Sequence, residues 1–501
     1  MEENFVVSSN QTRKHQKGQE KGKGMVDSSI NLCDLPDPIL EHIISFLPTK
    51  DAVRTSFLSK RWERLCLPIS SIELKEQEVA PDKRKNFIDF VKRVLVLCDS
   101  QELKKISLTC EVGEDACLVH AWILAFVKHK IEELSLVLNK VKHPLLLPDG
   151  LFSCGTLTKL LLNMNHLLRL PSFIYFEKLS ILTLEDITFP DAPSTQLLFS
   201  GCPSLEELSL IGCRWLNFSD VQISFPVLKK LYISEFEEDG YPDELNEGND
   251  DIADGRHIPD CCVIMIVADN LESFTYSGFV INNYYLCSAN SVTDVSVKVD
   301  MNDYVEEAEV GFFVFNLIKE IENVKRLSLC CYSIKAFCYT KDLFEHLPVF
   351  HNLAELRVGS ESGVELYCEG LWIILRNSPY LVVVDFETGV FLGTDEDEDE
   401  YEDEEDDNML DPVPPCFSSC LRTINVGEFY GDDAELNAIK ILLETASALE
   451  KFCIKFSTNY FDSTMRLNNL TQLCGQILGF PRGSVSCKIE FDLGENGYIE
   501  G

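Results

Sequence analysis

The fold class predicted by this 501-residue sequence is an α/β solenoid, in which every coil adds one short strand to a continuous parallel sheet. Three observations predict it. A six-residue frame, apolar-x-x-apolar-x-apolar, recurs along most of the chain. The middle residues of successive frames are mostly 21 to 32 residues apart. Apolar residues make up 45% and aromatic residues 10%, the composition of a folded chain, yet 501 residues are too many for one compact core.

Taken in order, residues 1–30 are polar, with Arg13, Lys14, Lys17, Lys21 and Lys23 spread among Gln and Gly. They are expected to be a disordered tail, too dilute in positive charge for a strong nuclear-import signal. Residues 31–70 are a dense apolar stretch of short helices. Asp37 is placed to cap a helix that starts at Pro38, where a missing amide proton costs nothing. Ile39, Ile43 and Leu47 recur every four residues, and Leu40 and Ile44 fill the adjacent row, which makes one wide apolar stripe. Pro48 ends that helix, a second carries Ala52, Val53, Ser56 and Phe57 up to Leu58, and a third short segment carries Trp62 and Leu65. About 40 residues is near the lower limit for independent folding. The surplus apolar surface must therefore pack on the rest of the chain or on another protein.

The order Leu35-Pro36, Ile39-Leu40, Ile43-Ile44, Leu47-Pro48, Val53, Leu58-Ser59 and Lys60-Arg61-Trp62 resembles an F-box. That resemblance implies a three-helix unit that docks on a Skp1-like adaptor and, through it, on a cullin ubiquitin ligase. It implies Leu35, Pro36, Ile39, Leu40, Ile43, Ile44, Leu47, Pro48, Val53, Leu58 and Trp62 as the adaptor-binding residues.

Residues 71–130 are expected to be a helical and stranded linker leading into the repeats. One helix spans about Asp82 to Cys98, with Phe87, Phe90, Val91, Val94, Leu95 and Cys98 on one face. A second spans about Ala116 to Lys130, with Leu118, Trp122, Ala125 and Phe126 at matching intervals, and Leu103 to Leu108 between them is a short strand. From residue 131 the frame takes over: Ile131/Leu134/Leu136, Leu157/Leu160/Leu162, Leu179/Leu182/Leu184, Leu205/Leu208/Leu210 and Leu228/Leu231/Ile233. It continues as Leu271/Phe274/Tyr276, Val292/Val295/Val297, Val324/Leu327/Leu329, Leu353/Leu356/Val358 and Leu381/Val384/Phe386, and closes with Leu421/Ile424/Val426 and Leu449/Phe452/Ile454. Leucine-rich repeats have this period, with parallel strands on the concave face and helices or loops outside. The intervening positions, such as Glu207 and Ser209, Lys230 and Tyr232, Arg326 and Ser328, are then expected on the concave face. Asn139, Asn165 and Cys213 stand where a turn-satisfying Asn or Cys would fall.

Two steps are too long. Leu231 to Phe274 holds Glu235 to Asp260, and Val384 to Ile424 holds Asp395 to Asp407, where Tyr401 is the one residue that is not acidic. Both are expected to be inserts, at about 235–260 and 393–412, in repeats that span 131–412. Residues 413–501 form the last part: Val413-Pro414-Pro415-Cys416-Phe417, a strand at Leu421, then Asp432 and Glu435 at capping-box spacing before a helix with Leu436, Ile439, Leu443 and Ala446. Together with Leu449-Glu450-Lys451 and Phe480-Pro481-Arg482-Gly483-Ser484, these residues resemble the FBD domain of plant F-box proteins, expected as an α/β cap on the solenoid. The whole chain resembles the plant F-box/FBD/LRR-repeat proteins.

A net charge of −38 without any basic stripe excludes a nucleic-acid partner and docking on anionic membranes. The Met1-Glu2-Glu3 start lacks a signal-peptide form, and the apolar run Cys262 to Ala268 is too short to span a bilayer. Twenty cysteines, scattered and without a Cys-x-x-Cys pair, suit reduced buried thiols in a nuclear or cytoplasmic protein. No histidine, vicinal cysteine pair (Cys261-Cys262, Cys330-Cys331) or Cys416/Cys420 spacing has the partners that zinc or nucleophilic chemistry needs, and no phosphate loop is present. The expectation is a non-catalytic substrate receptor without cofactor or metal, its target protein on the repeats. The alternative is a repeat scaffold acting outside any ligase, with the helices of residues 31–70 as its cap.

Overall fold

A computed structural model describes residues 32–47, 51, 55, 58–65, 71–76, 81–97, 103–142, 145–215, 219–236, 262–300, 305–359, 362–393, 412–457, 466–493 and 498–500. The amino-terminal tail, Pro48, Val53 and nearly all of both acidic inserts lie outside these residues. The chain divides into two compact units, Met1–Pro68 and Ile69–Gly501.

In the first unit, helix α1 (Asp37–Ser45) packs on helix α2 (Lys60–Leu65). The cap differs from expectation. Pro36 is the N-cap residue and Asp37 makes no capping bond; its carboxylate instead accepts from Arg61 Nε and Nη2 at 2.8 and 2.6 Å. Arg61 Nη2 also donates to the Leu35 carbonyl at 2.6 Å, so Lys60-Arg61-Trp62 is tied to Leu35-Pro36-Asp37 across the sequence.

The second unit is the solenoid. Among the described residues a 17-stranded sheet runs through it. One buried row crosses the sheet in parallel register: Ile72, Ile106, Leu134, Leu160, Leu182, Leu208, Leu231, Phe274, Val295, Leu327, Leu356, Val384, Ile424, Phe452 and Ile489. The frame has a backbone cause. From the coil of Glu132 and Glu133 to that of Glu450 and Lys451, the amides of the two intervening residues both donate to one carbonyl of the previous coil: Thr158 and Lys159 to Glu132, Ser180 and Ile181 to Thr158, and so on to Glu450 and Lys451 on Arg422. Only then do the next side chains fall into the shared apolar row, each contributing about 1.5–3 kcal/mol by burial.

The repeats begin earlier than expected. Strands Ser71–Lys75 and Lys105–Gly113 already belong to the row, so 71–130 is solenoid and not linker. The helix Ala116–Lys128 buries Val119, Trp122, Ile123 and Phe126, one position off the expected Leu118/Ala125 face. At the far end, Thr423–Phe429, Lys451–Phe456 and Lys488–Asp492 extend the same sheet, and Tyr498–Glu500 lies antiparallel on its last strand. The FBD-like part is thus a continuation of the sheet that closes it with one reversed strand. Its helix Asp433–Thr445 carries the expected capping box between Asp432 and Glu435.

The other side of the coils changes along the chain. Helices such as Pro81–Leu97, Ala192–Ser200 and Glu307–Ile318 cover the early and late coils. Between them lies a second parallel sheet, Asp220–Ser224, Val263–Val267 and Asn283–Cys287, which the sequence reading missed. Its central strand is apolar on both faces, so the two-residue alternation leaves no trace in hydropathy.

Glu235 corrects the acidic-insert reading. It is the last residue of strand Lys230–Glu235 and is buried. Its carboxyl accepts from Asn282 Nδ2 at 2.7 Å and the Tyr284 hydroxyl at 2.8 Å, and touches the Tyr276 hydroxyl at 2.9 Å. The Tyr276 hydroxyl donates towards both the Phe279 carbonyl, at 2.5 Å, and Glu235 Oε2, which also accepts from the Ile281 and Asn282 amides at 3.2 and 3.3 Å. Burial pushes the Glu235 carboxyl above its ordinary range. Gly278 makes the approach possible: its φ is +111°, and a Cβ there would stand 1.6 Å from the Glu235 carbonyl oxygen.

Two predictions follow from this packing. Gly278→Ala should lower stability by more than about 2 kcal/mol, while Gly475→Ala, at an exposed helical site with no atom within 4 Å, should change it by at most about 1 kcal/mol and upward. Thermal unfolding of the full chain measures both. Because folding raises the Glu235 pKa, its contribution is complete below the unfolded carboxyl value of about 4.3 and is lost as pH rises through the folded value. Glu235→Gln should therefore flatten the decline of Tm with rising pH.

Candidate functional site

The apolar stripe of the first unit splits into two sets. Leu40, Ile44, Trp62 and Leu65 are buried. Leu35 and Ile43 are half-buried and Pro36 is exposed. Ile39 is 47% exposed, Leu47 36% and Leu58 67%. The residues that the sequence grouped as one adaptor-binding set are thus core side chains on one hand and surface side chains on the other. Pro48 and Val53 lie outside the described residues.

Sequence reasoning missed Phe46. It is 75% exposed and continues the row Ile39, Ile43 at helical spacing of four and three residues, a signal that was available. His42 stacks edge-on against it with ring centroids 4.8 Å apart and is exposed. The Arg61–Asp37 ion pair is half-exposed, so its worth lies in geometry: it fixes where Leu35 and Pro36 sit beside Ile39. Ile39, Phe46, Leu47 and Leu58 are thus exposed apolar side chains on a unit whose core includes Leu40, Ile44, Trp62 and Leu65.

The second candidate surface is the open face of the large sheet. Glu207, Ser209, Lys230, Tyr232, Arg326 and Ser328 all stand on the face opposite the buried row. Its outer row carries opposite charges on several neighbouring coils. Glu133 is bridged by Lys105 and Lys159 at 3.2 Å each, Glu207 meets Lys230 at 2.8 Å, and Arg326 pairs with Asp294. Desolvation acts to raise the Glu133 carboxyl, but the hydrogen bonds and charges of Lys105 and Lys159 together outweigh it and hold the group below its ordinary value. The next row is mostly hydroxyl: Ser107, Ser135, Thr183, Ser209, Thr275, Ser296 and Ser328 face the same way. Of the three turn residues, Cys213 is buried and its thiol donates to the Leu184 carbonyl at 3.4 Å, whereas Asn139 and Asn165 are exposed.

Among the described residues no group of three or more His, Cys, Asp or Glu could hold a metal ion, and no helix is long and apolar enough to cross a membrane. Burial pushes the Cys202, Cys213 and Cys416 thiols up to about 12, which makes them packing groups at neutral pH. An open groove of about 730 Å³ lies along the coil edges by Glu206, Lys229, Asn270 and Glu272, side chains that are all exposed.

Comparison with known proteins gives three domain matches: the F-box domain at residues 32–69, the LRR repeats described for the FBD-associated F-box protein At5g56370 at 119–245, and FBD at 411–454. None of the three is named for a catalytic activity. Similar chains from Arabidopsis thaliana include F-box/LRR-repeat protein At2g42730, 26% identical over 91% of this chain and 96% of the relative, and F-box/LRR-repeat protein At3g59210, 28% identical over 91% and 93%. The putative F-box/FBD/LRR-repeat protein At3g59240 is 27% identical over 85% and 84%.

The two sets of apolar residues should separate by experiment. Leu40→Ala and Trp62→Ala should each destabilise the first unit by about 2–5 kcal/mol, and Phe46→Ala should stay within about 0.5 kcal/mol. Hydrogen exchange of the α1 amides in the full chain reads the difference.

Proposed function

From a chain that carries an F-box, leucine-rich repeats and an FBD domain, we propose a substrate-recognition subunit of an SCF-type ubiquitin ligase. It binds a Skp1-like adaptor, and through it a cullin, with the F-box, and a target protein with the repeat surface. One observation carries this reading: Ile39, Phe46, Leu47 and Leu58 stay exposed on a unit whose core is already filled by Leu40, Ile44, Trp62 and Leu65. An exposed apolar patch on so small a unit is unfavourable in water and suits a protein partner. The receptor needs no catalytic group of its own. It raises the effective concentration of a target lysine near a charged conjugating enzyme, and the chemistry proceeds there. Such work belongs to the nucleus or cytoplasm.

The competing reading, a repeat scaffold outside any ligase, requires that the F-box bind no adaptor. Co-purification with a plant Skp1-type protein decides between them. Burial of each large apolar side chain contributes about 1.5–3 kcal/mol, so Ile39→Ala/Phe46→Ala should weaken adaptor binding about 100-fold or more. Equal recovery of wild type and double variant, with α1 intact by hydrogen exchange, would overturn the ligase reading.

A further inference from the structure

We propose that Cys338 and Cys368 form a redox-active dithiol, which a peroxide converts to a disulfide joining two consecutive coils. Cys338 opens the 3-10 segment Cys338–His346 just after helix Cys331–Phe337, and Cys368 is the N-cap residue of helix Glu369–Arg376. The two helices pack on each other, and the sulfurs are 3.3 Å apart. Both sulfurs lie near one backbone oxygen, the Ile334 carbonyl, at 3.7 and 3.8 Å. Closing to a bond length of about 2.05 Å needs roughly one ångström of movement.

The approach is built by Gly370. A Cβ at that position would stand 2.3 Å from the Ile334 carbonyl oxygen, so only glycine lets the second helix begin this close to the first. The Gly370 amide then donates to Cys338 Sγ at 3.2 Å. Cys338 is thus held by a neighbouring thiol and by an amide at a helix start, the surroundings that favour a thiolate. The hydrogen bond from Cys368 brings the Cys338 thiol down to about 7, and the same bond pushes Cys368 up. Both residues are half-buried, in contrast to Cys202, Cys213 and Cys416, so an oxidant can reach them.

The step balances with hydrogen peroxide as the named oxidant. The Cys338 thiolate attacks one peroxide oxygen, the O–O bond breaks, and a sulfenic acid and hydroxide form. Hydroxide takes the Cys368 proton as water. The Cys368 sulfur attacks the sulfenic sulfur, the S–O bond breaks, and the oxygen leaves as a second water after protonation from solvent. Two thiols lose two electrons in all, and one peroxide becomes two waters.

The test uses the full chain, titrated with hydrogen peroxide, quenched by alkylation and digested for mass spectrometry. The expected first product is a peptide pair linked through Cys338 and Cys368, lighter by two hydrogens and released by dithiothreitol. Alkylation of Cys338 in the reduced protein should be half-maximal near pH 7, and in Cys368→Ala, which removes the donor, it should move towards the ordinary value of about 8.5. Peroxide that oxidises the other cysteines first, or that takes Cys338 to sulfinic acid without the link, would overturn the proposal. So would a pH profile of Cys338 that Cys368→Ala leaves unmoved. The first measurement needs only the wild-type chain, so poor folding of the variant cannot shelter the idea.

Discussion

Between neighbouring coils of the solenoid, one carbonyl oxygen accepts two amide protons, and the recurring sequence frame is the trace of that bond. Glu132 receives Thr158 and Lys159 at 2.7 and 3.1 Å, and Arg422 receives Glu450 and Lys451 at 2.9 Å each. Backbone groups entering a buried strand must be paired, because each orphan costs a sizeable part of a hydrogen bond's full strength. Once one carbonyl takes both amides, the phase of the strand is fixed, and its next side chain drops into the shared apolar row. The constraint acts on six residues and leaves the return path free. That is why a step may lengthen, as from Leu231 to Phe274, while Phe274 still pairs with Leu231 in register.

This explains what could be read without coordinates. The frame is local and rigid, so every strand of the shared apolar row from Leu134 to Phe452 was legible, and so was the capping box at Asp432 and Glu435. Features fixed by partners distant in sequence were not. Asp37 has the form of a cap, yet Arg61, 24 residues on, takes its carboxylate. Glu235 begins an acidic run, yet Asn282 and Tyr284, 47 and 49 residues away, hold it inside. The strand Val263–Val267 is apolar throughout and carries no alternation to betray its pairing. For the candidate site, hydropathy could find the stripe of α1 but could not divide it. Which side of a helix is core depends on where α2 lies.

The open face of the sheet carries a different kind of information. A chain of net charge −38 might be expected to present a strongly negative binding surface. Instead, Lys105 and Lys159 flank Glu133 on three successive coils, and Glu207 pairs with Lys230 further on. Exposed pairs of this sort add little stability. Their effect is to mix both signs of charge with hydroxyls on this stretch of the face, where a partner would be selected by hydrogen-bond geometry and shape more than by long-range attraction. The twelve acidic residues between Asp395 and Asp407 account for a large part of the excess charge, and they stand apart from this face in the sequence.

The F-box unit solves the opposite problem. Its helices are too short for propensity alone to hold them, so Leu40, Ile44, Trp62 and Leu65 must be spent on its own core. What remains on the far side of α1 is a second apolar row, Ile39, Ile43 and Phe46, which adds nothing to that core and would lower solubility if it served no purpose. Folding and docking thus draw on adjacent residues of one nine-residue helix, separated only by the helical turn. On the proposed reading, a substitution in either row would weaken adaptor binding, but for different reasons: one removes the scaffold and the other the contact. Loss of binding therefore identifies the contact surface only when the scaffold is shown to be intact, and Arg61, which anchors the start of α1 from α2, is the residue at which the two roles meet.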